Sequence, residues 1–252
     1  MRTRIGKINF DVLSFNGAID IISDLILTDN KCSQVVVANV FSVVLSEKDK
    51  EFCNVCKNAE ITIADGQPIV FFSRYFGHKL PERIAGPDFM WRFSKVCAQK
   101  GFKMFLLGGV EPFLTNLKNN LEKSFKEIKI VGKYSPPFGI WTEEETEKMI
   151  SLINHSGAEV LWLGVSTPKQ DKWIQLVKHR LKTKVAIAVG AAFDFHSGKT
   201  NRAPVWIQKI GFEWFHRLLQ DPKRLWKRYL IGNFEFVLII IRQFLENTFK
   251  KN

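Results

Sequence analysis

Short apolar runs alternate along this chain with amphipathic stretches, an order that predicts a sheet wrapped in helices. Residues 5–13 read as a strand and 17–27 as a helix. The run 34–38 is short and β-branched, and 41–56 is helical, with Asp, Glu and Lys on its outer face. Strand 61–63 ends at Ala64-Asp65-Gly66, and 87–100 is the next helix. The alternation then sharpens. Strand 102–107 ends in Gly108-Gly109, helix 111–125 follows, and strand 128–131 leads into the loop 133–139. Thr142 caps a helix whose first turn is Glu143-Glu144-Glu145, acids that suit the positive end of the helix dipole. Strand 159–163 ends in Gly164, helix 169–181 comes next, and strand 185–189 ends in Gly190. Strands that are apolar throughout are buried on both faces, and helices between them make the sheet parallel. The fold class is therefore α/β, a parallel sheet covered by helices.

The pattern changes near residue 199. Residues 199–252 hold eleven Lys and Arg against four Asp and Glu, with Trp, Phe and Tyr interleaved. This division predicts an α/β core over 1–198 and a basic, aromatic helical appendage over 199–252. The most apolar stretch, 229–245, is broken by Asn233, Glu235 and Arg242, so it falls short of the roughly 18 apolar residues of a membrane span. The first residues are basic but lead into no apolar segment of signal-peptide type.

Composition adds one strong constraint. Of 252 residues 46% are hydrophobic and 25% charged, ordinary for a globular protein, which excludes disordered and collagen-like classes. The formal net charge of +12 is not ordinary and calls for an anionic partner: nucleic acid, nucleotide phosphate or an acidic membrane surface. The four cysteines include Cys53-Asn-Val-Cys56, but no second pair completes a zinc site, so this pair reads as two half-buried thiols, and a reducing cytoplasm fits.

In parallel sheets ligands sit beyond the carboxyl ends of the strands. The candidates there are Asn39, Asp65, Gly108, Gly109, Tyr134, Lys169, Gln170, Asp171 and Asp194. Asp65 is either an Asx-turn residue or a carboxylate projecting into the crevice, able to accept a proton. Gly108-Gly109 before a helix offers backbone N–H groups to a phosphate, or serves close packing alone. It lacks the G-x-G-x-x-G fingerprint, and Val131-Gly132-Lys133 stands where a dinucleotide site needs an acid, so an oxidoreductase is disfavoured. Lys169-Gln-Asp171 clusters a cation, an amide and a carboxylate at one strand end. His196 has no partner histidine at helical spacing and reads as structural. No D-x-D occurs, which argues against a two-carboxylate metal site. Arg217, Arg224 and Arg228 share one face if their helix is continuous, although Pro222 interrupts it.

Together these strings resemble the WecG/TagA/CpsF glycosyltransferases. The matching pieces are Ala64-Asp-Gly-Gln-Pro68, Arg83-Ile-Ala-Gly-Pro-Asp88, Phe105-Leu-Leu-Gly-Gly109, Tyr134-Ser-Pro-Pro-Phe138, Leu163-Gly-Val-Ser-Thr-Pro-Lys-Gln-Asp171, Val189-Gly-Ala-Ala-Phe-Asp194 with Arg202-Ala-Pro204, and 211–228, which begins Gly211-Phe-Glu-Trp. The resemblance implies inverting transfer of a sugar, N-acetylmannosamine-type, from a UDP-sugar to a polyprenyl-diphosphate-linked sugar at the inner face of the plasma membrane. It implies a Rossmann-like α/β core, no cofactor and no metal. It assigns the base to Asp65, donor contacts to Gln170 and the leaving-group charges to Arg217 and Arg224, with Lys227 or Arg228 next; Asn39 and Arg83 join the substrate contacts, as does Arg228. Val37, Ala85, Pro87 and Asp171 depart from residues common in the family and bear on which sugar is taken. The expected partners are the UDP-sugar, the lipid-linked acceptor and an anionic membrane surface, with no nucleic acid; a homo-oligomer is compatible. The rival class is a non-catalytic or RNA-binding basic α/β domain, for which the net charge would be a nucleic-acid footprint.

Overall fold

A computed structural model describes residues 1–249. A hairpin, β1 (Arg2–Ile5) and β2 (Ile8–Asp11), precedes helix α1 (Phe15–Thr28) and strand β3 (Ser33–Ala38). Helices α2 (Val40–Lys48) and α3 (Lys50–Asn58) lead to β4 (Ile61–Ala64), α4 (Gln67–Ser73) and α5 (Gly86–Lys100). Then come β5 (Lys103–Gly108), α6 (Phe113–Ser124), β6 (Lys129–Tyr134), α7 (Glu143–Ser156), β7 (Val160–Gly164), α8 (Lys169–Val177) and β8 (Val185–Ala188). Helices α9 (Ala192–His196), α10 (Val205–Lys209), α11 (Glu213–Gln220) and α12 (Pro222–Trp226) follow. A π-helical stretch, Lys227–Ile231, runs into α13 (Gly232–Phe249).

Strands β3 to β8 form one parallel sheet in the order β4-β3-β8-β7-β5-β6. The registers Val35↔Ile61, Ser33↔Val185, Val160↔Val185 and Met104↔Val160 bring the carboxyl ends of the strands to one edge. Both faces are covered, as the apolar strands require. Trp162 points into a cluster with Phe89, Phe93 and Ile22 from α5 and α1. Its neighbours Leu161 and Leu163 point the other way, onto Met149, Ile153 and Ile174 of α7 and α8. The α/β Rossmann-like architecture is as the pattern and the resemblance predict.

Three local differences have physical causes. The stretch 5–13 is not one strand, because Gly6 at φ +58° turns the chain and pairs Ile5 with Ile8 in the separate antiparallel hairpin. The helix expected over 41–56 divides at Asp49, whose carboxylate accepts from Phe52 N–H at 2.9 Å and so starts α3 anew. Helix α4, unexpected from the pattern, carries Pro68 in its first turn, where a missing N–H costs nothing.

The C-terminal segment is fastened to the core. Phe236 and Ile240 of α13 are buried among Ile5, Ile8 and Val43. Gln243 accepts from Gly6 N–H at 2.7 Å and donates to the Arg4 carbonyl at 2.8 Å. Among the described residues no helix is long and apolar enough to cross a membrane.

The ends of β5 and β7 approach so closely that glycine is demanded. A Cβ on Gly108 would lie 2.6 Å from the Gly164 carbonyl oxygen, and one on Gly164 would lie 2.1 Å from Phe193 Cγ. Gly164→Ala is therefore expected to cost about 1–3 kcal/mol through overpacking. Thermal melts should show it as a Tm lowered by roughly 2–4 °C per kcal/mol; an unchanged Tm would contradict the close approach.

Candidate active site

The loops leaving β3, β4, β7 and β8, together with the C-terminal helices, enclose a crevice of about 410 Å³ at the strand ends. That volume suits a small-molecule site. Asn39, Asp65, Arg83, Gln170, Asp194, Arg217, Arg224 and Arg228 all line it. One wall is aromatic, with Phe41, Phe72, Trp214 and Phe236.

Asp65 follows directly on β4, and its backbone N–H donates to the Ala38 carbonyl at 2.8 Å, which holds the residue beside the end of β3. Its Oδ2 accepts from Gly86 N–H at 3.3 Å, and its Oδ1 stands 3.7 Å from Arg83 Nε. Burial pushes this carboxyl up, Arg83 works against that, and Glu213 adds to the rise. A carboxylate shifted toward neutrality is a better proton acceptor than an exposed one.

Arg83 is the first link of a chain of charges that ties the sheet end to helix α11. Its Nη2 donates to Glu213 Oε2 at 2.7 Å, and Arg202 Nε donates to Glu213 Oε1 at 2.9 Å. Arg202 then grips both oxygens of Asp88, at 2.5 and 2.9 Å, in the first turn of α5. Burial opposes the charge on Glu213, but Arg202 and then Arg83 outweigh it and hold the carboxyl below its ordinary range. Glu213, Arg202 and Asp88 were not among the residues expected to form the site. All three lie in the strings that carry the resemblance, yet nothing in a single sequence announces a contact across 130 positions.

Pro222 does end one helix and start the next, and still the arginines meet. Arg217 lies over the Phe195 ring at 5.2 Å, Arg224 pairs with Asp221 at 2.5 Å, and Arg228 stacks 4.2 Å above Phe41. The Nε of Arg228 is buried with no hydrogen-bond partner. Burial holds its guanidinium below the usual range, and Arg217 and Arg224 push it further down. Positive charge is concentrated here in a form that a diphosphate would relieve. Gln170 is 3% exposed; its Nε2 donates to Thr167 Oγ1 at 3.3 Å while its Oε1 is unpartnered beside the crevice.

Asn39 also has a structural role. Its Oδ1 accepts from Ser42 N–H, and Ser42 Oγ accepts from Asn39 N–H, both at 3.2 Å, in a capping box that starts α2. Asp194 pairs with Lys199 at 3.0 Å. The remaining expected residues stand outside the crevice lining. Gly108 and Gly109 meet Gly164 at the end of β5, with Gly109 N–H donating to the Gly164 carbonyl at 2.9 Å. Tyr134 donates to Glu145 at 2.8 Å. Lys169 donates to the Gly139 carbonyl and lies 3.5 Å over the Trp141 ring. Asp171 is 2% exposed, and burial pushes its carboxyl up to about 7. His196 binds the Pro87 carbonyl at 2.8 Å and stacks on Trp91, a structural role. All four cysteines are buried and free, and among the described residues no group of three or more His, Cys, Asp or Glu could hold a metal ion.

Over 183 residues, 73% of this chain and 69% of the relative, the chain is 29% identical to the N-acetylglucosaminyldiphosphoundecaprenol N-acetyl-beta-D-mannosaminyltransferase of Bacillus subtilis (strain 168). The profile of the glycosyl transferase WecG/TagA/CpsF family matches residues 3–250. Spanning almost its whole length, that match means the chain belongs to the WecG/TagA/CpsF family of glycosyl transferases.

Proposed function

We propose that this glycosyltransferase moves an N-acetylmannosamine-type sugar, with inversion, from a UDP-sugar to a polyprenyl-diphosphate-linked sugar in the assembly of a cell-surface polymer. The observation that carries the reading is one crevice lined by a carboxylate, Asp65, together with three arginines, Arg217, Arg224 and Arg228. The name of the Bacillus subtilis relative supports the sugar and the acceptor.

In this mechanism the donor diphosphate lies by the arginines and its sugar by Asn39, Gln170 and Asp194. The uridine extends toward the shelf formed by Gly108, Gly109, Tyr134 and Lys169. Asp65 takes the proton of the acceptor hydroxyl. The hydroxyl oxygen bonds to the anomeric carbon as the bond to the diphosphate oxygen breaks, and UDP leaves with the electron pair. Arg217 and Arg224 offset its growing charge, the role that a metal ion fills elsewhere. Residues 1–198 act as catalytic core, and the described part of the C-terminal segment, 199–249, closes the crevice. The appendage exposes Trp206, Phe212, Leu219, Trp226 and Leu230 among its cations, which suits a peripheral seat on the anionic inner face of the plasma membrane.

The direct test is UDP release from a panel of UDP-sugars with a lipid-linked acceptor; turnover fastest with the N-acetylmannosamine donor is expected, and no UDP release from any donor refutes the reading. Asp65→Asn should lower turnover by about 10²–10⁴-fold. Because burial makes the charged form of Asp65 costly, the neutral amide should leave the Tm undiminished. Turnover near wild type would remove Asp65 from the role of base. Activity should also survive excess EDTA; loss restored by Mg²⁺ or Mn²⁺ would refute the metal-free mechanism.

A further inference from the structure

Arg83 is placed to neutralise Asp65, yet its shortest contact goes elsewhere. Its Nε stands 3.7 Å from Asp65 Oδ1, while its Nη2 donates to Glu213 at 2.7 Å and its Nη1 to the Gln208 carbonyl at 3.4 Å. Glu213 cannot swing away. Its second oxygen is held by Arg202, and Arg202 is anchored on Asp88 by two hydrogen bonds. The side chains of Arg83 and Glu213 are 12% and 15% exposed, so solvent screens this pairing little.

We propose that Glu213 is a positioning residue for the proton transfer: by engaging Arg83 it sets how much positive charge faces Asp65, and so makes the base depend on the seating of α11. The proposal rests on the reading of Asp65 as base and adds to it a residue of the crevice wall that acts through Arg83.

The groups facing Asp65 can be named. Arg83 and the Gly86 N–H come from the segment that opens α5, Arg202 from the stretch between α9 and α10, Glu213 from α11 and Arg228 from the π-helical stretch. Of these Glu213 alone is an anion, and it disfavours the charged form of Asp65 while Arg83 favours it. Replacing Glu213 by a neutral residue removes that anion and also frees Arg83 to close on Asp65. Both changes stabilise the carboxylate and make it a weaker base, so the proton leaves it at lower pH.

The test uses the full-length protein and the pH profile of kcat/KM for the acceptor, whose acidic limb reports the ionisation of the free enzyme's base. Glu213→Gln keeps the shape and removes the charge; Glu213→Asp keeps the charge but falls one methylene short of Arg83. The acidic limb should move to lower pH in the order wild type, E213D, E213Q, with the plateau rate falling in the same order. A limb that is unmoved or raised, with rate lost equally at all pH, would reduce Glu213 to a structural clamp and overturn the proposal. Thermal melts establish folding; if E213Q does not fold, the limb of E213D alone decides. Asp65→Asn run alongside separates the two ideas: an active D65N fails the base itself, whereas an inactive D65N beside unmoved Glu213 limbs fails only the coupling.

Discussion

Asp88, Arg202, Glu213, Arg83 and Asp65 form a line of alternating charge that runs from the start of α5 through the appendage to the end of β4. Each inner member is satisfied from two sides, and none of the inner three is freely exposed. Such a line adds little net stability, since the cost of desolvating the charges offsets their attraction. Breaking it at an inner member is another matter, because that removal strands a partner in a poorly solvated place. Its effect is on arrangement: α11 has one seat in which all the charges are matched. The crevice, whose far wall is made of appendage residues, depends on that seat.

This also explains why the positive charge of the C-terminal segment is divided in two. Arg202 is consumed internally, by Asp88 and Glu213. Arg217, Arg224 and Arg228 converge on the crevice, and the last is stacked on an aromatic ring with a buried donor unmatched. A segment whose cations served only to meet an anionic surface would have no reason to bury one of them.

The sheet was legible because its strands are apolar on both faces and separated by helices with a clear polar side. Trp162 between Leu161 and Leu163 is the clearest instance, three adjacent large residues serving two cores. The hairpin was not legible, since one glycine in a left-handed turn decides it, and neither was the helix break at Asp49, where a charged residue in an amphipathic pattern reads equally well as part of the outer face. At the site, strand ends and the family resemblance pointed to Asp65, Arg83 and the arginines that the fold gathers. They also pointed to Gly108, Gly109, Tyr134 and Lys169, which the fold sets beside the crevice, and to Asp171, which it buries. The pairing of Arg83 with Glu213 is tertiary in origin; residue type and spacing carry no trace of it.

The π-helical stretch Lys227–Ile231 bears on how one continuous rod can serve two surfaces. An α-helix advances about 100° per residue, so a stripe facing one way recurs at steps of three and four. Along this rod the crevice is met by Arg224, Arg228, Tyr229, Asn233, Phe236 and Val237. The π turn, whose wider ring absorbs one additional residue, lies between Arg224 and Asn233 of that series. That residue resets the angular phase of everything after it. Upstream, the phase turns Arg224 to the crevice; downstream, it turns Asn233 and Val237 to the crevice and packs Ile240 on the hairpin, with Phe236 meeting both. The local irregularity thus ties the crevice wall to the anchorage, so that a shift of α13 on the hairpin is passed to the arginines upstream of the turn.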